Sequence, residues 1–321
     1  MKKHVFEKSK ISENIRGKIT ENAPLGRESW FGCGGSADLL FEPADFDDLA
    51  AFVKDYPKTE PLLVLGGMAN TIIRDGGVRG CVIRLGKPFS QIEVDGYTIR
   101  AGAGALNGSV AAAAAKVGIA GLEFLSGIPG TVGGALRMNA GAYGREIKDI
   151  LRVCEALDIG RGKRTFTAAE MGFGYRSCAL PQDLIFTQAL FEGAPEDEPG
   201  GVRHRLRAIK ELRRDTQPIT EKTGGSTFAN PSAEALRKAG LPENLRAWQV
   251  VERVGGRGLT IGGAQMSRKH CNFMINTGDA TAADLENLGE ELRRRVYAEF
   301  GTDILHWEIK RVGCYNKGDN L

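Results

Sequence analysis

The sequence of 321 residues has few cysteines, little net charge and no long apolar run, and each lack excludes a class of protein. None of its six cysteines belongs to a CxxC pair, which excludes the common zinc and thioredoxin spacings. Six scattered thiols in so long a chain indicate reduced cysteines rather than a disulfide framework. A net charge of +3 is too balanced for a protein that binds nucleic acid through a strongly basic surface.

Signals for export or membrane insertion are also lacking. Residues 1–17 are basic but contain no apolar core of a signal peptide. The longest uncharged stretch, 101–115, is mostly alanine and glycine and ends at Lys116, which makes it a poor membrane span. We therefore expect a soluble cytoplasmic protein that binds neither membranes nor nucleic acid.

Glycine, in contrast, is abundant. It accounts for 43 residues, well above the usual ~7% of a chain. The glycines cluster in loops, and the longest glycine-rich passage is 121–144. Because a glycine in a packed core costs chain entropy, these clusters indicate backbone that lies against a large flat cofactor. A multi-turn structural loop is the alternative.

Hydrophobic periodicity predicts an α+β chain in three parts. We expect a first part at 1–86 that begins with a polar arm or short helix, a second at 87–214 that ends in a basic helix, and a third at 215–321. The predicted strands are 38–41, 61–65, 81–85, 97–101, 151–159, 184–192, 257–262, 271–276 and 303–312, and the predicted helices are 44–56, 106–117, 203–214, 232–239 and 282–300. Thr281 and Asp284 predict a capping box at the start of the last helix.

Two loops are candidates for binding phosphate groups, one that follows the strand predicted at 61–65 and one at 126–135. No P-loop pattern occurs, and the stretch from Gly32 to Ala37 fits only a loose dinucleotide fingerprint because a strand-like segment, not a helix, follows it. The strand at 61–65 runs into Gly66 and Gly67, where bare backbone N–H groups could form an anion nest. A plain turn is the alternative there.

Three further clusters carry reactive side chains. Arg176 follows Tyr175 after a glycine-rich turn, Ser226 follows two glycines, and Glu308 and Lys310 share a predicted strand face. Each also has an ordinary interpretation, namely a surface ion pair, a helix-start serine and edge-strand charges. Ser226 does not stand in a G-x-S-x-G motif, so a hydrolase elbow is not supported.

In their order along the chain, these segments resemble the UDP-N-acetylenolpyruvoylglucosamine reductase family. The most specific of them read GIPGTVGGA, NAGAYG and GGSTFANP. The resemblance implies a p-cresol-methylhydroxylase-type fold, in which two α+β domains hold FAD and a third α+β domain binds the substrate. It also implies that a monomeric enzyme uses NADPH and FAD to reduce UDP-N-acetylglucosamine enolpyruvate to UDP-N-acetylmuramate for peptidoglycan.

The resemblance further implies roles for single residues. The implied catalytic residues are Arg176, Ser226 and Glu308. The implied FAD-binding residues are Leu65, Gly66, Gly67, Met68, Ala69, Asn70, Ser126, Gly127, Ile128, Pro129, Gly130, Gly133, Gly134, Asn139, Ala140 and Gly141. The implied substrate-binding residues are Tyr143, Tyr175, Arg214, Asn230, His270 and Lys310, and no metal is implied.

Two features separate this chain from other members that the resemblance covers. Ala229 stands where a lysine is common before the Asn-Pro pair, which affects one expected substrate contact. The segment between Tyr175 and Pro181 is short, which indicates the subtype without an extra tyrosine-bearing loop.

Two other functions remain open from the sequence. One is a flavin oxidase of the same cofactor fold acting on a sugar or alcohol. Many such oxidases hold FAD covalently through a histidine, and residues 5–203 contain none, so only a noncovalent oxidase is compatible. The other is a sugar-nucleotide-binding protein without catalytic activity, which would be colourless when purified.

Overall fold

A computed structural model describes residues 15–316, which form two compact units. Within the described range, unit 1 comprises 15–22, Asp38–Gly67 and Gly80–Arg213, and unit 2 comprises Ala23–Ala37, Met68–Arg79 and 214–316. Two N-terminal segments therefore belong to the same unit as the C-terminal third. The division into three domains with breaks after residues 86 and 214 stays a prediction.

Strands and short helices alternate along most of the chain. The strands are β1 Lys18–Ala23, β2 Ala37–Glu42, β3 Leu62–Leu65, β4 Thr71–Ile73, β5 Val78–Arg84, β6 Ile92–Asp95, β7 Thr98–Gly102, β8 Ile119–Ala120, β9 Gly141–Ala142, β10 Arg145–Glu146, β11 Leu151–Asp158, β12 Gly162–Thr167, β13 Ile185–Glu192, β14 Ala194–Pro195, β15 Lys222–Ser226, β16 Thr260–Ile261, β17 Ala264–Met266, β18 Phe273–Asn276 and β19 Lys310–Val312. The helices are α1 Leu25–Glu28, α2 Phe46–Asp55, α3 Asn107–Lys116, α4 Val132–Arg137, α5 Gly201–Thr216, α6 Ala233–Lys238, α7 Ala247–Arg253 and α8 Ala282–Phe300.

Unit 1 is built on two sheets, each with its own core. In the sheet ordered β1-β2-β5-β3, strands β3 and β5 are parallel, and α2 packs on this sheet through stacked rings of Phe41 and Phe52. The second sheet, ordered β12-β11-β13-β7-β6, is antiparallel throughout. Helix α3 buries its alanine-rich face against this second sheet.

Unit 2 centres on an antiparallel sheet ordered β15-β18-β17-β16. The long helix α8 packs on it through the predicted apolar stripe, and all four members of that stripe are fully buried: Leu285, Leu288, Leu292 and Val296. A separate parallel pair joins β19 to β4.

The structure confirms most of the predicted helices and strands. The helix predicted at 44–56 is α2, the basic helix is α5, and the helix predicted at 282–300 has those bounds as α8. The polar arm expected over the first 20 residues lies mostly outside the described range, and its described end is wrong because β1 begins at Lys18. The sequence did not predict α4, α7 or β12.

The predicted strand at 303–312 is the clearest error. Only Lys310–Val312 forms a strand, and the preceding residues 303–309 are irregular apart from one isolated bridge between Phe228 and Trp307. Glu308 therefore does not share a strand face with Lys310, as the sequence had predicted, but lies in the irregular segment before β19.

Helix α8 begins at the predicted capping box. The hydroxyl of Thr281 accepts from Asp284 N at 3.0 Å, and the Asp284 carboxylate accepts from Thr281 N at 3.0 Å. Thr281→Ala removes the first of these bonds and should lower the free energy of unfolding by about 1 kcal/mol in urea titrations followed by circular dichroism. Thr281→Ser keeps the hydroxyl and should stay close to the parent, and equal loss in both variants would contradict the cap.

Candidate active site

In unit 1, the two glycine-rich loops lie backbone against backbone. A methyl group added at Gly66 would lie 2.4 Å from the Thr131 hydroxyl oxygen, and one added at Gly67 would lie 3.2 Å from the Cα of Gly130. A side chain at either position would force the loops apart. Part of the glycine content is therefore explained by packing within the protein, which was the alternative interpretation of these clusters.

The other side of the passage 126–134 is accessible. Residues 127–130 are only half-buried and Gly134 is exposed, whereas Leu125, Val132 and Leu136 are buried in the core behind them. Side chains thus point into the core while backbone remains available for a ligand. This arrangement is typical of a loop that holds a cofactor through main-chain contacts.

An unsatisfied polar group lies next to this passage, at a residue that the sequence did not single out. Asn107 is 1% exposed, its backbone N donates to Gly130 O at 3.1 Å, and neither side-chain amide atom has a hydrogen-bond partner among the described residues. A buried amide without partners is costly, so a water or a polar group of a ligand is expected to complete it.

Arg176 lies at the tip of a tight turn in unit 1. Gly174 and Ser177 exchange backbone hydrogen bonds across the turn, and Arg176 has φ of 51°, a left-handed conformation that is unfavourable for arginine. Its guanidinium donates to Gly141 O at 3.0 Å and lies 5.0 Å from the ring centroid of Tyr175. The turn therefore presents a half-buried cation in a fixed direction.

The side chain of Asn139 stabilises this turn through hydrogen bonds. It is fully buried, and its amide nitrogen donates to Gly174 O and to the Glu146 carboxylate, each at 3.0 Å. Its amide oxygen accepts from Lys148 N at 3.0 Å. These side-chain hydrogen bonds are all made to other residues of the protein. The expected contact between Asn139 and FAD stays a prediction.

Tyr143 and Arg213 form a second pair in unit 1. The Tyr143 ring covers Gly127, where an added methyl group would lie 2.4 Å from the ring. Arg213 donates to Ser126 O at 3.3 Å, and burial lowers its pKa while it raises the pKa of Tyr143. The neighbouring Arg214, to which the resemblance assigns a substrate contact, is exposed and paired with Asp215, and that contact stays a prediction.

In unit 2, a bulge presents Ser226. The pairing of β15 with β18 shifts register between Thr223 and Ser226, and Gly225 has φ of 80°. A methyl group added at Gly224 would lie 2.3 Å from the Phe31 ring, so the glycine allows β15 to lie directly against that ring. Ser226 is half-buried at the end of the bulged strand.

The residue after Ser226 holds Glu308. Thr227 O accepts from Glu308 N at 2.9 Å, and Thr227 is itself fully buried. The side chain of Asn272 binds both backbone groups of Phe228, the residue after Thr227. It accepts from Phe228 N at 3.0 Å and donates to Phe228 O at 2.8 Å. The structure thus brings two predicted catalytic residues, Ser226 and Glu308, onto adjoining segments.

Asn70 also contacts this region. Its side-chain amide donates to Glu308 O at 3.0 Å, and its backbone O accepts from Lys310 N at 3.0 Å. The loop that the resemblance assigned to FAD therefore also holds the two peptide groups that follow Glu308, on either side of Ile309. An FAD contact for Asn70 stays a prediction.

The predicted substrate residues Asn230 and His270 lie near an exposed tryptophan. Asn230 accepts from Ala247 N at 3.1 Å and so adjoins the start of α7, which carries Trp248, 38% exposed. The rings of Trp248 and His270 lie 6.4 Å apart. Burial and the nearby Arg257 lower the pKa of His270, which favours its neutral form. Trp248 carried no sequence signal beyond being an aromatic residue in an unpredicted helix.

Other candidate sites are few. An open cavity of about 450 Å³ in unit 1 lies between α3 and α5 and contains none of the predicted site residues. Within residues 15–316, no cluster of His, Cys, Asp or Glu could hold a metal ion, no helix is long and apolar enough to cross a bilayer, and the cysteines are free thiols.

Comparison with known proteins now defines the class of the chain. The FAD binding domain model matches residues 37–167, and the model of the UDP-N-acetylenolpyruvoylglucosamine reductase C-terminal domain matches residues 217–312. The fold is thus that of an FAD-binding protein of the p-cresol-methylhydroxylase type with an added C-terminal domain, as the sequence predicted.

Full-length relatives identify the family. The chain is 50% identical over 299 residues to UDP-N-acetylenolpyruvoylglucosamine reductase of Rhodospirillum rubrum, covering 93% of this chain and 91% of that protein. It is 47% identical to the same-named protein of Gluconobacter oxydans, with 96% of both covered. A crystal structure of UDP-N-acetylenolpyruvylglucosamine reductase from Thermus caldophilus aligns with a TM-score of 0.75 at 31% identity, over 92% of this chain and 98% of that one. The chain belongs to the UDP-N-acetylenolpyruvoylglucosamine reductase family.

The glycine passage of unit 1 fits the FAD that this family fold implies. Accessible backbone at 127–130 and 133–134 can approach a flat or phosphorylated group, because no side chain intervenes at the glycines. The unpartnered Asn107 amide beside Gly130 could accept or donate a hydrogen bond to a polar group of such a cofactor or to a water.

Proposed function

We propose that this chain reduces the enolpyruvyl group of UDP-N-acetylenolpyruvoylglucosamine to give UDP-N-acetylmuramate, with NADPH as the source of hydride. The observation that carries the proposal is the identity of 47–50% to several reductases of that name over nearly the full length of both chains. We further propose a cytoplasmic monomer that acts in the synthesis of peptidoglycan precursors for cell-wall growth and division.

Bound FAD would supply the hydride chemistry, and the residues of the chain would supply binding, orientation and a proton. Residues 65–70 and 126–141 would hold the FAD. Hydride addition to the enolpyruvyl methylene leaves negative charge on the neighbouring carbon and its carboxylate. Arg176 is suited to bind that carboxylate, because a guanidinium can donate two parallel hydrogen bonds.

Ser226 is the proposed proton donor. Its Oγ–H would protonate the carbon next to the carboxylate, which is a strong enough base to accept a proton from a hydroxyl. Glu308 would orient a water or acidic group, and Asn230, His270, Lys310 and Tyr143 would contact the sugar and diphosphate. A neutral His270 can donate one hydrogen bond to a phosphate oxygen without adding charge.

The test is a pair of half-reactions under anaerobic conditions. NADPH should bleach the visible absorbance of the purified protein, and UDP-N-acetylenolpyruvoylglucosamine should restore it with formation of UDP-N-acetylmuramate. If only oxygen restores the absorbance, the protein is an oxidase of the same cofactor fold. A colourless protein that fails to bind added FAD would leave only a binding function.

The flavin should be held without a covalent bond. Residues 15–203 contain no histidine, and the passage 126–134 offers backbone rather than a nucleophilic side chain. Acid precipitation should release all of the yellow colour into the supernatant. Colour that remains on the pellet would contradict this expectation.

A further inference from the structure

The segment that carries Glu308 depends on α8 for its position. Residues 303–309 have no regular strand pairing, yet Ile304, Leu305 and Ile309 are buried. The side chain next to Glu308 is fixed by the helix, because Trp307 Nε1 donates to the Glu290 carboxylate at 2.8 Å. This bond is the direct polar tie between α8 and the residue adjoining Glu308.

A glycine in α8 makes room for the same tryptophan. A methyl group added at Gly289 would lie 2.2 Å from the Trp307 ring. A glycine inside a helix costs about 1 kcal/mol relative to alanine, so its use here is explained by close contact with the indole. The Phe228 ring lies 5.5 Å from the Trp307 ring and adjoins the segment that carries Ser226.

Glu290 also ties the chain on both sides of Glu308. Arg311 donates to Glu290 at 3.2 Å, and its guanidinium lies 4.6 Å from the Trp307 ring centroid. Arg293 donates to Glu290 at 2.8 Å and to Leu305 O at 3.0 Å. The Glu290 carboxylate therefore connects residues 307 and 311 to the helix, and Arg293 of the same helix binds residue 305.

We propose that Glu290 and Trp307 are positioning residues that hold Glu308 in its reactive place. The inference depends on the proposed role of Glu308 in substrate reduction. The backbone around Glu308 is held by Asn70, by Thr227 and by Ala229, whose N donates to His306 O at 2.9 Å. The Trp307–Glu290 bond and the Gly289 contact add a side-chain attachment to α8 next to Glu308. A displacement of about 1 Å in a reacting group can cost ~10²-fold in rate. Contacts that hold Glu308 in position can therefore affect the rate of substrate reduction.

Trp307→Phe tests this attachment, because it removes both the Nε1–H donor and the outer part of the indole that lies against Gly289. We expect transfer to the enolpyruvyl substrate to slow by about 10-fold or more, within the ~10²-fold that a 1 Å misplacement costs. Flavin reduction by NADPH should stay at the parent rate, and the KM for the enolpyruvyl substrate should change little. Glu290→Gln keeps one oxygen that can accept from Trp307 Nε1 but loses the charge that pairs with Arg293 and Arg311, so it should show the same selectivity to a smaller degree.

Glu291→Gln is the matched control. Glu291 is the next residue on α8. Its substitution by glutamine removes the ion pairs with Arg294 and Arg295, which do not involve the segment that carries Glu308. Both half-reactions should match the parent in this variant. If Glu291→Gln slows transfer as much as Glu290→Gln, loss of helix charge rather than positioning explains the effect.

A double-mutant cycle separates positioning from a general structural role. In a Glu308→Gln background, Trp307→Phe should cause no further slowing, whereas independent structural damage would multiply the two effects. If Trp307→Phe fails to fold or to bind FAD, Glu290→Gln is judged by the same cycle. If Glu308→Gln slows transfer but Trp307→Phe and Glu290→Gln both match the parent, the positioning inference alone fails. A parent enzyme that does not reduce the substrate would instead overturn the proposed function.

Discussion

Ser226→Ala should leave flavin reduction by NADPH intact and nearly stop reduction of the enolpyruvyl substrate. A lost general acid typically costs ~10²–10⁴ in rate. The geometry supports this role, because the bulge at Gly224 and Gly225 turns the end of β15, and Ser226 precedes the residue that binds Glu308 N. Stopped-flow reoxidation of the reduced enzyme by substrate measures the effect directly.

A structural role for Ser226 predicts a different outcome. A serine that only capped the turn before the Asn230–Pro231 pair would cost about 1 kcal/mol of stability when removed. The helix cap in this region is Ser232, whose hydroxyl accepts from Ala235 N at 3.1 Å. Ser232→Ala is therefore the matched control, with lower stability of α6 and parental rates in both half-reactions.

A thiol at position 226 provides a second check. Ser226→Cys places a proton donor at the same position and should recover part of the lost transfer rate. If Ser226→Ala reduces the substrate at nearly the parental rate, the proton comes from another group, and Glu308 or a water that it holds becomes the candidate.

The helices and strands that the sequence predicted share a clear local signal. Helix α8 combines a capping box with an unbroken apolar stripe, and α2 is capped by Asp45, whose side chain accepts from Asp48 N at 2.9 Å. Such signals depend only on residues close in sequence, so they can be recognised without knowledge of the tertiary structure. The family and the cofactor fold were predicted because the glycine motifs occur in a fixed order.

The error at 303–309 has a physical cause. The segment alternates apolar and polar residues like a strand, but the apolar side chains are buried against α8 and Trp307 occupies the place left by Gly289. Burial of these apolar side chains therefore arose without a neighbouring strand to pair with. Local pattern reports which side chains are buried and not which element buries them.

The assignment of 23–37 and 68–79 to the C-terminal unit could not be predicted for a similar reason. Arg74, for example, pairs with the fully buried Glu286 at 2.8 Å across 212 residues of sequence. Nothing in the sequence near either residue identifies its partner. The roles of Asn139 and Asn70 in fixing Gly174 and Glu308 depend equally on contacts between distant segments.

Arg176→Lys should slow transfer to the enolpyruvyl substrate by about 10²-fold, as expected when one donor to developing negative charge is lost. The positive charge remains, but an ammonium cannot reproduce the planar pair of donors that a guanidinium offers to a carboxylate. The guanidinium also donates to Gly141 O at 3.0 Å, which orients its remaining donors, and lysine cannot keep that bond while reaching a carboxylate in the same way. Reduction of the flavin by NADPH should change little, because it develops no charge on the substrate carboxylate.

Arg164→Lys is the matched control for this variant. Arg164 is also in unit 1, where it pairs with Asp158 at 3.0 Å and lies over the Phe166 ring, and neither partner is a predicted site residue. It should leave both half-reactions at parental rates. If Arg176→Lys slows the two half-reactions equally, its main role is to hold the turn at 174–177 and the flavin loops. Selective slowing of the substrate step, with flavin content unchanged, would instead place the guanidinium on the substrate carboxylate, because only that step develops the charge that two parallel donors stabilise.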